Sequence, residues 1–209
     1  MKKYDKIMIV SGDIVSCFLS GKSIGWDGIS EVSLNRIIYF AAVLFKFMFS
    51  EQKNIFEEDY EFSITLRGPE APIINNAIIH LQSNEVISKK GSEYFLDVVD
   101  NDFTKNLPYF EEKKSWIEDI VYLMGVYGED KLYDFIFRDP EYKTNLKSKT
   151  FKLLNLGGDN YTIRYLELFK ADFERTLLQQ SFKLSNKQYL ELYFEFVFGK
   201  ILKGESVDG

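Results

Sequence analysis

The 209-residue chain, 45% hydrophobic and 28% charged, has the size and composition of one large globular domain or two small, closely packed ones. Its net charge of −6 argues against binding nucleic acid irrespective of sequence, which needs Lys and Arg in excess to neutralise phosphates. A single cysteine, Cys17, excludes an internal disulfide, and with one histidine, His80, it excludes a structural zinc site of the usual ligand set within one chain.

From Lys3 to Leu19, Ile7, Val10, Ile14, Val15 and Phe18 recur at helical spacing. Ser20 to Gly28, rich in Gly and Ser, reads as a loop. Ser33 is the expected N-cap of a helix from Leu34 to Phe49 that is apolar on nearly every side, as befits an element buried in mid-domain. Asn54 to Glu61 is an acidic loop. Phe62 to Leu66 alternates like a short strand, which Arg67-Gly68-Pro69 stops. Glu70 to Ser83 is again helical, striped by Ile73, Ile74, Ala77, Ile78 and Leu81. Val86-Ile87-Ser88 and Tyr94 to Val98 flank a Lys89-Lys90-Gly91-Ser92 turn, a hairpin signal. Helix, short strand, Gly-Pro break, helix and hairpin form the layout of a winged helix-turn-helix, with the hairpin as the wing. Asp100 to Pro108 reads as a linker.

The second half is helical. Trp116 to Tyr127 has Ile117, Ile120, Val121 and Met124 on one face; Asp130 to Phe137 follows and ends at Asp139-Pro140. A short helix is expected over Leu146 to Leu154, then a Gly157-Gly158-Asp159 turn, then long helices over Tyr161 to Phe182 and Ser185 to Leu202. The fold class is therefore mainly α (α+β). A winged-helix-like domain with a small β-hairpin spans 1–104, and an all-helical, partner-docking domain spans 105–209. Charge is divided between regions: residues 51–142 hold 20 acids against 9 bases, and residues 143–204 hold 11 bases against 6 acids. The basic stretch suits an acidic partner surface or a phosphate backbone. The basic start Met1-Lys2-Lys3 leads into an apolar stretch broken by Ser11, Gly12 and Asp13, unlike a secretory leader, and no run reaches the roughly 18 apolar residues of a membrane span. The expected setting is cytoplasmic, without membrane contact.

Chemistry-bearing patterns are few. His80 lies among Ile78, Ile79 and Leu81 and reads as a structural residue. Glu57, Glu58, Asp59 and Glu61 crowd one loop but lack the calcium-loop pattern of a central Gly and terminal Glu. Gly157-Gly158-Asp159 lacks the Gly-Lys-Ser/Thr that follows a phosphate-cradling loop. No catalytic residue, metal ligand, cofactor or small-molecule substrate is expected. For DNA, the helix before the wing offers Asn75 and Asn76 but no Lys or Arg, and the wing offers Lys89 and Lys90 between Glu85 and Glu93. For a protein partner, Tyr189, Tyr193, Phe194 and Phe198 of the last helix are the expected anchors.

Arg36-Ile37-Ile38-Tyr39-Phe40, then Arg67-Gly68-Pro69 heading a helix, then Leu81 to Ile87 and a hairpin resembles two related groups. One is the Panacea-type antitoxin domain, with its Lys-Leu-Leu-Tyr-Phe-like helix and Gly-Pro step. The other is the small middle component of bacterial ABC three-component and Lamassu-type defence systems, which accompanies an SMC-like ATPase. Tyr127-Gly128-Glu129 to Leu132 and Asp139-Pro140-Glu141-Tyr142 are similar to the helical segment that follows in these families, so the likeness covers roughly 30–145. Thr65-Leu66-Arg67 stands where Panacea domains carry an aromatic-Trp step, and apolar helices extend about 55 residues beyond the likeness. Both departures favour a complex subunit over a stand-alone antitoxin.

The resemblance implies a non-enzymatic accessory subunit of an antiphage or antiplasmid complex. It would bridge an SMC-like ATPase and a toxic effector such as a nuclease, touching DNA through the complex. An antitoxin or winged-helix transcriptional regulator is the alternative, and a carboxylate-based hydrolase a remote one.

Overall fold

A computed structural model describes residues 6–98, 104, 106–129, 131–147, 153–177 and 184–203. Its described elements run α1 (Lys6–Ser23), β1 (Ile29–Ser30), α2 (Glu31–Met48), β2 (Ser63–Thr65), β3 (Gly68–Glu70), α3 (Pro72–Ser83), β4 (Ile87–Lys90) and β5 (Glu93–Leu96). The helices α4 (Phe110–Gly125), α5 (Lys131–Ile136), α6 (Pro140–Lys147), α7 (Tyr161–Leu177) and α8 (Asn186–Leu202) complete them. The fold is mainly helical with small antiparallel sheets, as the periodicity implies.

The hub is α2. Ser30, in extended conformation, caps it by accepting a hydrogen bond from Ser33 N at 3.1 Å. The cap thus falls three residues before the expected one, because Ser30 offers the same hydroxyl one turn earlier. Fourteen of its 18 residues are buried, so every face meets another element. Burying each large apolar side chain stabilises the fold by about 1.5–3 kcal/mol. Around α2 pack α3, α4, α5, α7, α8 and β3.

Within the first half, β5 is central: β1 and β4 pair with it antiparallel on either side, in the order β1-β5-β4. The strand between the first two helices therefore closes onto the hairpin. A separate ribbon pairs β2 with β3, matching Ile64 to Pro69 and Thr65 to Gly68. Here the structure departs from expectation, since Gly68-Pro69 forms a strand rather than ending one. A two-stranded ribbon is all edge, so Pro69 removes no ladder bond that an inner strand would need, and Gly68 adopts φ +125°, where a Cβ would be strained. The helix expected from Glu70 starts instead at Pro72, because proline holds the preceding Ala71 extended at φ −116°, ψ 115°.

Other boundaries shift for local reasons. The Ser20–Gly28 loop yields to α1, which runs to Ser23, and α4 begins at Phe110 rather than Trp116. The short helix expected over 146–154 is replaced by α6, which opens directly on Pro140. Residues 148–152 of that expectation, most of the 100–108 linker and the 178–183 end of the long helix lie outside the described residues. Ser185 caps α8 through a reciprocal capping box with Gln188.

The units expected over 1–104 and 105–209 share one hydrophobic cluster that includes Val10, Phe40, Trp116, Phe135 and Phe198. Helix α1 of the first unit packs extensively on α4 of the second. Gly12 lies so close to the start of α4 that a Cβ there would fall 3.3 Å from Phe110 Cδ2 and 2.7 Å from Leu107 Cδ1, just before that helix. No helix among the described residues is long and apolar enough to cross a membrane.

Candidate interaction site at the Arg36 junction

Of the segments that carry the resemblance, those around Arg36–Tyr39, Arg67–Gly68, Glu129 and Asp139–Tyr142 meet at one place, although Tyr39 and Asp139 are 100 residues apart; the Leu81–Ile87 stretch and its hairpin lie outside it. The Arg36 guanidinium, 7% exposed, donates from Nη2 to the Arg67 carbonyl at 2.7 Å and lies 5.0 Å from the centre of the Tyr133 ring. Its Nε has no partner. Burial works against its charge, while Tyr133 and Glu129 favour it. Glu129 in turn accepts from the backbone N–H and hydroxyl of Ser30. One turn further along α2, the Tyr39 hydroxyl donates to Asp139 Oδ2 at 2.7 Å.

Asp139 is buried and organises the start of α6. Thr162 Oγ1 donates to its Oδ1 at 2.6 Å, and the Tyr142 N–H donates to its Oδ2 at 2.9 Å. Burial pushes this carboxyl up to about 6 despite those donors. Its neighbour Glu141, also buried, accepts from the N–H groups of Asn155 and Tyr161, each at 2.9 Å. The Tyr142 hydroxyl then reaches the Thr65 carbonyl at the end of β2. Hydrogen bonds thus run from α2 through α6 and α7 to the β2–β3 hairpin.

What this framework presents to solvent is the hairpin tip. Thr65 Oγ1 closes the turn by donating to Gly68 O at 2.9 Å and accepting from Arg67 N at 3.1 Å. Leu66 projects 89% exposed, with the Arg67 side chain beside it, paired with Glu70 at 2.8 Å. Tyr133, 47% exposed, covers the Arg36 charge. The resemblance names Leu66 and Asp139 along with Arg36 and Arg67-Gly68-Pro69 but gives neither a role, and Tyr133 carries no sequence signal of its own. The signal available was an apolar residue at a turn position, where Gly, Asn or Asp is usual.

The residues expected at interfaces fare differently. Asn75 and Asn76 are exposed on α3 and flank a half-exposed Ile79, while Lys89 and Lys90 are exposed on β4. Both lysines lie back over hairpin rings, Lys89 5.1 Å from Tyr94 and Lys90 5.0 Å from Phe95. Lys90 also faces Glu93 across the ladder, which dilutes the positive charge of the wing. Tyr189, Tyr193, Phe194 and Phe198 require a correction. All four are buried, between 0 and 2% exposed, and so belong to this chain's own core rather than to a docking surface. Phe194 and Phe198 each stack on Phe135 with centroids 4.7 Å apart. A helix apolar all round is one enclosed by its own chain as readily as by another; here α2, α4, α5 and α7 supply the enclosure. The exposed apolar residues of the last two helices are instead Tyr161, Tyr165, Leu168, Phe196 and Leu202.

The acidic loop is not a cluster. Glu58 pairs with Lys53, while Asp59 turns inward to Lys113 Nζ at 2.7 Å. Lys113 is buried and also meets Asp13 at 2.9 Å, and the Tyr60 hydroxyl donates to Asp13 at 2.7 Å. Two carboxylates thus share one ammonium; burial opposes the Lys113 charge, and Asp13 and Asp59 outweigh it, raising the group above its ordinary range. His80, half-buried, has Nδ1 3.2 Å from Ser11 Oγ. Among the described residues, no three His, Cys, Asp or Glu side chains are grouped to hold a metal ion.

Set against known proteins, the chain matches no family model, no curated protein and no solved structure.

Proposed function

We propose that the chain is a non-catalytic adaptor subunit that docks a protein partner through the β2–β3 tip and the Arg36 junction beneath it. One observation carries this reading. Most of the segments resembling the middle component of SMC-associated defence systems converge on a buried hydrogen-bonded frame that carries an almost fully exposed leucine at the tip of its β2–β3 ribbon. Such a frame holds a small apolar contact rigidly in place, which lowers the entropy cost of association. On this reading the partners are an SMC-like ATPase and an effector such as a nuclease, and the subunit joins them. The β1-β5-β4 closure supports a winged-helix origin for the first half. The shared core supports a rigid body in which both halves move together.

A second reading, an antitoxin or operator-binding regulator, is favoured by the exposure of Asn75, Asn76, Lys89 and Lys90 on adjacent elements. Against it stand the lack of Lys or Arg on α3 and the Lys90–Glu93 pairing. Affinity purification of the tagged chain expressed with its neighbouring genes, read by mass spectrometry, separates the two. A large coiled-coil ATPase among the recovered proteins supports the adaptor. One small toxin, or operator DNA, supports the alternative. The chain recovered alone would overturn both.

A further inference from the structure

Away from the Arg36 junction, the far end of α2 meets α4 over an open cleft of about 500 Å³. Its floor is aromatic: Phe49, partly exposed, has its ring centroid 4.7 Å from Phe45 and meets Trp116 edge-on at 5.6 Å, with Phe45 and Trp116 themselves buried beneath it. Its rim carries Glu111, Glu112 and Asp119, spaced along α4. Trp116 is fixed from behind by donating Nε1–H to the Ala41 carbonyl at 2.7 Å, so the floor is a built surface.

The charges decide the occupant. Lys187 takes up Asp119. Of the other lysines, Lys46 is held by the Ser50 and Gln52 carbonyls, Lys53 by Glu58, and Lys113 in the interior by Asp13 and Asp59, while Lys114, three residues after Glu111 on α4, forms no ion pair among the described residues. Glu111 and Glu112 form no ion pair among the described residues. They sit in the first turn of α4, whose dipole offers about half a positive charge against their two full negative ones. A hollow with an aromatic floor and an acidic rim matches one side-chain type, an aliphatic stem ending in a cation. The stem lies on Phe49, and the ammonium or guanidinium reaches the carboxylates.

We infer that this cleft is a second docking point, which takes a Lys or Arg side chain from a basic segment of a protein partner. It is independent of the Arg36 junction and stands whether or not the hairpin tip docks anything.

Trp116 supplies the test. The chain has two tryptophans, so Trp26→Phe leaves Trp116 as the only indole, reporting from the cleft floor. The probe is a blocked hexapeptide of alternating Leu and Arg, with the Leu/Glu peptide as control. The expected result is a saturable change in Trp116 emission with the Arg peptide alone. Affinity should fall tenfold or more in Glu111→Gln/Glu112→Gln and stay within twofold in Glu57→Gln/Glu61→Gln, which removes the same charge elsewhere on the surface. Equal weakening by both double variants would reduce the effect to general attraction and overturn the proposal, as would an emission that does not respond. If Trp26→Phe proves unstable, calorimetric titration of the chain with its native tryptophans reads the same three affinities.

Discussion

Two buried polar centres hold residues that a solvent-exposed reading would place on the surface. Lys113 is enclosed by Asp13 and Asp59, with the Phe56 ring 4.8 Å from its ammonium. Replacing it by Met leaves two buried carboxylates without a cation. Breaking such a centre by deleting one member costs about 3–5 kcal/mol, so Lys113→Met should lower the urea midpoint steeply; a change below about 1 kcal/mol would show that the centre is solvated in solution. Asp139 responds to pH. Its folded carboxyl titrates near 6 because burial opposes its charge, against an ordinary value of 3.8. Between those values the folded chain binds more protons than the unfolded one, so stability falls as pH rises from about 4 to 6 and is level above. The difference is about 3 kcal/mol if the whole shift is expressed. Asp139→Asn cannot titrate, and the stability difference between wild type and variant should slope across that window and nowhere else. Parallel urea curves from pH 4 to pH 7 would show that the three donors to Asp139 cancel the effect of burial.

At the scale of elements, α2 is held by side chains that reach its backbone from three directions. Trp116 donates to Ala41 O, Asn54 to Ala42 O at 2.8 Å, and Asn160 to Val43 O at 3.2 Å. Each of these carbonyls has a second lone pair to offer beyond its helical bond. Asn54 also donates to Leu156 O at 2.7 Å and accepts from Phe56 N at 3.0 Å, which joins the loop after α2 to the one before α7. Asn54→Ala strands those buried groups and should cost about 2–3 kcal/mol, measured by chemical denaturation; a loss under about 0.5 kcal/mol would mean that water replaces the amide. Most helices were legible in the sequence because their apolar periodicity is local; α6 was not, because it is largely polar and Asp139-Pro140 reads as a stop rather than a start. The 87–96 hairpin was legible because Lys89-Lys90-Gly91-Ser92 punctuates two β-prone runs. The β2–β3 ribbon was not, because its turn residues Leu66-Arg67 carry no turn signature and Gly68-Pro69 resembles a terminator. Nor were Asp13, Lys113 and Asp139, whose burial draws in partners as far as 100 residues away. The aromatic residues of α8 were visible as a group. Whether this chain or another encloses them is a tertiary fact that composition leaves open.

On the scale of the whole molecule, one core unites segments that would otherwise pass for two domains, and the junction at Arg36 gathers several of the stretches resembling SMC-associated middle components. The β2–β3 tip stands at one side of that junction and the acidic cleft at the far end of α2, so two contacts of opposite chemistry are presented by one rigid helix. A subunit built this way can fix the relative position of two partners without catalysing anything itself. The hairpin tip carries the central claim and is open to a clean test, because Leu66 contributes its exposure rather than its burial. Leu66→Asp should leave stability within about 0.5 kcal/mol of wild type, as surface substitutions do. The measurement is quantitative mass spectrometry of proteins copurifying with tagged wild-type and Leu66→Asp chains from the native gene neighbourhood, on preparations with matched melting temperatures. Recovery of the main partner should fall at least tenfold in the variant; equal recovery from both chains would contradict docking through the tip.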